Sequence, residues 1–443
     1  MGLLPSLGTS YGPLQPLHDH IIRTAQPVTL QTAHHLLVYP LTPLFLQAWL
    51  LQYEHTRKYR IPLGIASVFF TCMAWRGYRF YEPFLNAGNN LLGVMFLHFI
   101  GRAVEFALLE DPVIDPFMAK GRSRLMCAYD LCCNSRWIGL RPVNAVESSS
   151  SSIKSPERHT SPTAPVSDDK WLPRPSKIRI RRQAVLRHAR LAYTYLLALD
   201  TLLNLLRYFG RENVGLSHVP PGGVDKFFSD PYILLPRSRY AMRAPDLLVD
   251  LCVKAFLGGG VLAMLSGGYH LAAAVMVGCG VYEVEAWEVD LFNGPMAAGS
   301  VLEFWGKGWH QVFRHHFNLL STLIVHHLRL PRLFLLPLAF ALSGALHALG
   351  QLSMSPSPSP LDLFLFFFIQ SLGCLAEIMW KRVTGKRVGG WTGWMWKNLF
   401  MVVTAGVPLR TELQSGLGGT WFTPPLGGGV LAGAMIRWVV DRP

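Results

Sequence analysis

The chain has 443 residues, of which 50% are hydrophobic and only 15% charged, and it carries a formal net charge of +14. So few charged groups exclude a set of ordinary soluble domains and point to a membrane protein. The excess of Lys and Arg does not call for nucleic acid, because the basic residues sit between apolar runs, where membrane proteins collect them. The seven cysteines are Cys72, Cys127, Cys132, Cys133, Cys252, Cys279 and Cys374. They form no CxxC pair and have no histidine at zinc-finger spacing, so neither a disulfide framework nor a metal site is expected.

Met1 to Thr29 lacks a basic stretch followed by an apolar core and does not read as a cleaved signal peptide. Leu30 to Leu51 is the first apolar run, interrupted by Pro40 and Pro43; Ile61 to Trp75 is a second and Asn89 to Leu109 a third. The third carries Arg102 and Glu105 three residues apart on one helical face; either the pair neutralises itself inside the protein or the segment lies partly at the interface. From 110 to 190 the character changes to a cytosolic linker with a serine run at Ser148 to Ser152 and scattered prolines. Leu191 to Leu206 is apolar but holds Asp200 and Asn204, and reads as interfacial or re-entrant. Asp246 to Ser266 and His270 to Trp287 read as a helical hairpin turning at Gly267-Gly268. Leu333 to Leu352, Leu361 to Trp380, Met395 to Leu409 and Phe422 to Val440 complete the apolar runs.

These runs predict an all-α polytopic membrane protein with about nine transmembrane helices around a reaction chamber. Four regions follow: an N-terminal segment 1–29, helices over 30–109, the linker 110–190 and a core over 191–443. Basic loops placed in the cytosol put the amino terminus in the lumen and the carboxyl terminus in the cytosol.

Two features carry chemistry. His347 stands well inside an apolar run with Ser343 one turn before it, and an ionisable group at that depth is a functional candidate by default. Phe304 to Arg314 crowds Trp305, Lys307, Trp309, His310 and Arg314 together. On one helix starting near Glu303, His310, Arg314 and Ser321 share a side and Trp309, Phe313 and Phe317 another, as in an interfacial amphipathic helix. A neutral imidazole in a membrane chamber is suited to taking a proton from an alcohol, whose oxygen then attacks a thioester. His310 or Arg314 would supply a second group to stabilise the oxyanion.

Glu303 to Arg314 resembles the FWGRxWHQxFR block of the wax synthase branch of the membrane-bound O-acyltransferases. Ser343-Gly344-Ala345-Leu346-His347 resembles the SGxxH element that follows it. Asn134 to Gly139 resembles an upstream element usually written Arg-Gly-Ile-Gly, with Trp137 departing from it, and Glu377 fits the helix after the catalytic one. The resemblance implies transfer of an acyl group from acyl-CoA to a lipophilic alcohol in the endoplasmic reticulum membrane. It maps the catalytic histidine onto His347 and the second active-site position onto His310. Trp305 and Trp309 would shape the donor tunnel, with Lys307 and Arg314 near the CoA phosphates. The WHQ form is similar to fungal members that acetylate terpenoid or meroterpenoid hydroxyls; plant members esterify fatty alcohols. Acetyl-CoA is then a co-substrate and no cofactor is bound.

Other classes fit less well. A di-iron desaturase needs about eight histidines in HxxxH-type boxes, and His310, His315, His316, His326, His327 and His347 lack those spacings. A transporter of a lipophilic compound is expected to show internal repeats, and none is seen.

Overall fold

The computed structural model describes residues 11–115, 117–118, 121–134, 136, 140–142, 181–210, 213–229, 232–234, 241–243, 245–421 and 426–440. The chain is mostly helical. Its principal helices are α1 (Gln15–Thr24), α2 (Ala33–Leu50), α3 (Arg57–Gly77), α4 (Asn86–Leu108), α5 (Arg124–Cys133) and α6 (Arg181–Phe209). They continue with α7 (Gly223–Ser229), α8 (Asp246–Gly278), α9 (Arg314–His327), α10 (Leu335–Gly350), α11 (Pro360–Thr384), α12 (Gly390–Gln414) and α13 (Gly428–Val440). Among the described residues, strands are limited to short pairs, such as Gln26–Pro27 beside Tyr78–Arg79. Among the described residues, four stretches are long and apolar enough to cross a membrane: Pro83–Leu108, Asp246–Gly278, Arg332–Ser353 and Pro360–Thr384.

Three expectations change. The expected hairpin is the single helix α8, which runs straight through Gly267-Gly268. Gly267 serves packing rather than a turn, since a Cβ there would lie 2.7 Å from the Leu196 side chain of α6. The Leu191 to Leu206 run, expected to be interfacial or re-entrant, is the middle of α6, an unbroken helix of 29 residues, about 43 Å long at 1.5 Å per residue, which rules out re-entry. Within the expected linker, Arg124–Cys133 is helical and buries Cys127, Ala128 and Leu131. Its surroundings explain the order: Arg122 binds Asp115 at 2.6 Å and also pairs with Glu283, tying this segment to the stretch after α8. The serine run and the prolines from 156 to 175 lie outside the described residues.

The Arg102 and Glu105 pair is buried as anticipated, and it has company. Arg102 meets Glu105 at 2.7 Å, while His315 and His316 approach the same carboxylate at 2.6 and 3.3 Å. His316 in turn faces His98 at 3.3 Å. The network pins the start of α9, the helix that follows the aromatic block, to the last turn of α4.

At the end of the molecule away from Arg122, Asn86 donates to the carbonyls of Pro356 (2.9 Å) and Ser415 (3.0 Å), and Gln351 donates to Glu412. The Asn86 bonds join α4 to the stretches that leave α10 and α12, and the Gln351 bond joins the end of α10 to α12.

Between α10 and α11 the helices nearly touch. A Cβ on Gly344 would sit 2.9 Å from the Phe364 carbonyl oxygen, a backbone atom that cannot swing aside. The small residue beside Ser343 is therefore a spacing device that brings α11 against the face carrying His347. Gly344→Val should lower stability by about 1 to 3 kcal/mol through overpacking, read as a lower thermal-aggregation temperature in detergent. A melting profile equal to wild type would show that the helices separate freely.

Candidate active site

The aromatic block does not form the continuous amphipathic helix expected from its spacing. One turn of helix, Val301–Glu303, runs into a π-helical turn over Phe304–Gly308. The chain then leaves helical geometry over 309–313 and re-enters it at Arg314. Side chains explain why the break is tolerated, because carbonyls freed from helix ladders need other partners. The Gln311 amide donates to the carbonyls of Trp305 (3.1 Å) and Trp309 (2.6 Å), and Arg314 donates to that of Gly306 (3.0 Å). The break turns His310 away from the helix face on which Arg314 and Ser321 lie.

The start of the block is held from below by Glu377. Its carboxylate accepts the backbone N–H groups of Val301 (2.7 Å) and Leu302 (3.0 Å) and the Trp396 indole N–H (3.0 Å). A negative group at the first N–H groups of a helix is the favourable arrangement. Ser300 adds a cap by accepting from the Glu303 N–H at 3.0 Å. Gly308 allows the neighbouring chain to come close, since a Cβ there would lie 2.9 Å from Pro295 Cα.

A continuous set of rings links the two halves of the site. His310 packs on Trp309 with centroids 5.5 Å apart, Trp309 on Trp305 at 5.8 Å, and Trp305 on Phe367 at 5.9 Å. Phe367 lies parallel to His347 at 4.7 Å and 4°. Trp305 is fixed in orientation by its indole N–H, which donates to Gln370 at 3.1 Å, while Gln370 donates to Thr404 at 2.8 Å. His310 and His347 thus face one region from two elements that are far apart in sequence.

Both imidazoles keep ring nitrogens available. The Nδ1 of His310 is buried without a hydrogen-bond partner, and among the described residues no protein group bonds the His347 ring. Burial first, then the facing His347, then Arg136 push the His310 pKa down to about 3, so His310 is neutral at physiological pH. A neutral imidazole offers one donor and one acceptor.

Of the other expected residues, Ser343 lies half-buried one turn before His347 on α10. Lys307 and Arg314 are exposed, and Arg314 is engaged with Gly306 and Gln311. Sequence reasoning missed Phe292, whose ring stands edge-on to Trp309 at 5.0 Å and to His310 at 5.8 Å. It also missed Phe367 and Gln370. An apolar residue in a loop and a phenylalanine within a phenylalanine run carry no periodic or motif signal.

Fold and site together define a helical membrane protein with two facing histidines on separate segments. Residues 287–369, which contain both histidines, match the membrane bound O-acyl transferase family. It is similar to the acetyltransferase ataH of Aspergillus terreus, with 28% identity over 205 residues, 42% of this chain and 67% of the relative. It is also similar to the acetyltransferase eriL of Hericium erinaceus, with 31% identity over 97 residues, 20% of this chain and 25% of the relative. No solved structure matches the chain. The matched family and both relatives are acyl-transferring proteins, a reaction that implies an acyl donor and an acceptor.

Proposed function

We propose that this chain transfers an acetyl group from acetyl-CoA to a hydroxyl of a lipophilic alcohol of the terpenoid or meroterpenoid kind, in the endoplasmic reticulum membrane. The observation that carries the reading is the facing pair: His347 stacked on Phe367 and His310 with an unpartnered Nδ1, joined through Trp305 and Trp309. His347 takes the proton of the alcohol as its oxygen attacks the thioester carbonyl. His310 donates toward the oxygen on which charge develops. The tetrahedral adduct breaks its carbon–sulfur bond, and the departing CoA thiolate recovers the proton from the His347 imidazolium. One ester and one CoA thiol result, with no change of oxidation state. The acetyl donor is favoured by the names of the two relatives, both acetyltransferases.

The same reading places nine crossings in the membrane, with α6 as one crossing and α8 as one in place of the hairpin. The aromatic block and the basic run from Lys381 to Arg387 then face the cytosol, where CoA arrives. Exposed Lys307 at the π-turn is positioned on that side for the CoA phosphates, and the alcohol enters from lipid or lumen.

The test is alcohol-dependent release of CoA thiol by microsomes given acetyl-CoA and a panel of lipophilic alcohols. His310→Ala should slow it about a hundredfold or more at matched protein level. Release from long-chain donors alone would replace the acetyl assignment by wax-ester synthesis, and uptake of a compound without any CoA release would make the protein a carrier.

A further inference from the structure

One charged side chain at the site is unused by this mechanism. Arg136, half-buried, donates to the carbonyls of Asp290 (2.8 Å) and Val289 (3.0 Å) and to the Tyr269 hydroxyl (3.3 Å), with its guanidinium over the Tyr269 ring. Tyr269 donates to the same Val289 carbonyl at 2.8 Å. Two side chains thus grip two successive carbonyls of the stretch that follows α8. Two residues further on, Phe292 presses edge-on against His310 and Trp309. The next residue, Asn293, donates its N–H to the Gly308 carbonyl at 2.9 Å, and Pro295 packs on Gly308 itself.

We propose that Arg136 is a positioning residue for His310: by clamping the Val289 and Asp290 carbonyls it fixes the loop whose Phe292 and Asn293 hold the His310 segment in place. A guanidinium suits the task because its planar fork binds two oxygens at once while its face stacks on an aromatic ring. The charge beside His310 also favours the neutral imidazole. The titratable and charged groups facing His310 are His347 from α10 and Arg136, while the Asp290 carboxylate turns to Arg187 at 3.9 Å. Catalytic relevance rests on the proposed acyl transfer; the clamp itself does not.

Two readouts separate the claims. In the first, amide hydrogen exchange is followed over 288–309 in detergent-solubilised full-length protein. Arg136→Ala should speed exchange at Asn293 and its neighbours about tenfold or more, because bonds to a clamped loop open less often. Arg136→Lys, which keeps the charge and one donor, should give an intermediate effect and serves if the alanine variant fails to fold. Wild-type protection in both variants overturns the clamp, whatever reaction the protein performs. The second readout is kinetic. Arg136→Ala should lower kcat about tenfold or more with the KM for acetyl-CoA little changed, and Arg136→Ala with Phe292→Ala should cost little more than the worse single change, as expected for residues acting as one unit. A raised KM at unchanged kcat would make Arg136 a donor-binding residue and overturn positioning. Fully additive losses would overturn action through Phe292. Absence of acyl transfer in the wild type would defeat the proposed function while leaving the exchange result to decide the clamp.

Discussion

Acyl transfer should fall about a thousandfold or more in His347→Ala, the range for loss of a general base, while the protein stays in the membrane at wild-type level. His347 is the group that meets the alcohol proton in the proposed reaction, and no other base stands on its helix. Its packing role is small by comparison: the ring stacks on Phe367 but makes no protein hydrogen bond among the described residues. His347→Gln, close in size and able to hydrogen-bond but lacking a basic nitrogen, should be as inactive as the alanine variant. The assay is ester formation in microsomes with labelled acetyl-CoA, with protein quantified by immunoblot. Turnover within tenfold of wild type in either variant would remove His347 as the base, and with it the mechanism.

The second large effect is on folding. Glu105→Ala removes the carboxylate shared by Arg102, His315 and His316 and leaves the fully buried Arg102 without its ion pair. Breaking such a pair from one side costs about 3 to 5 kcal/mol, a large part of the stability of an ordinary domain. The variant should therefore fail to accumulate as a monodisperse species in detergent, seen by size-exclusion profile and thermal aggregation. Replacing both partners with apolar residues, Arg102→Met with Glu105→Leu, should recover part of the loss, because no charge is then left in the interior. A single variant as stable as wild type would mean that the network is hydrated and adds little.

The network also bears on the site. His315 and His316 follow directly after Arg314, so the carboxylate on α4 fixes where α9 begins, and Glu377 on α11 fixes where the aromatic block begins. The π-turn and the break at His310 are suspended between these two anchored ends. Partial losses of either anchor are expected to reduce activity before they reduce membrane insertion.

Apolar run lengths and the isolated polar residues within them were enough to read the membrane class and the all-α fold, and they singled out the two histidines as candidates. A histidine inside twenty apolar residues stands out because water is absent there, and a block of tryptophan, glycine and histidine stands out by composition. Local pattern was also enough to place Arg102 and Glu105 on one face. Three things depended on contacts between distant segments. Gly267-Gly268 has the same local signal as a turn, and its use inside a helix, where Leu196 of α6 comes close to Gly267, depends on a partner distant in sequence. The helix expected through His310 is broken because Gln311 and Arg314 satisfy carbonyls that a continuous helix would satisfy itself, an exchange with no periodic signature. The meeting of His310 with His347 was expected from family resemblance, but its physical basis is tertiary: Gly344 lets α11 approach α10, Phe367 and Trp305 bridge the gap, and the loop carrying Phe292 closes on the other side. The sequence determined which groups are present and which of them stand inside apolar runs, because polarity is a property of a segment. Their arrangement into a site was decided by tertiary packing, because it depends on pairs of residues whose separation in the chain carries no information about their separation in space.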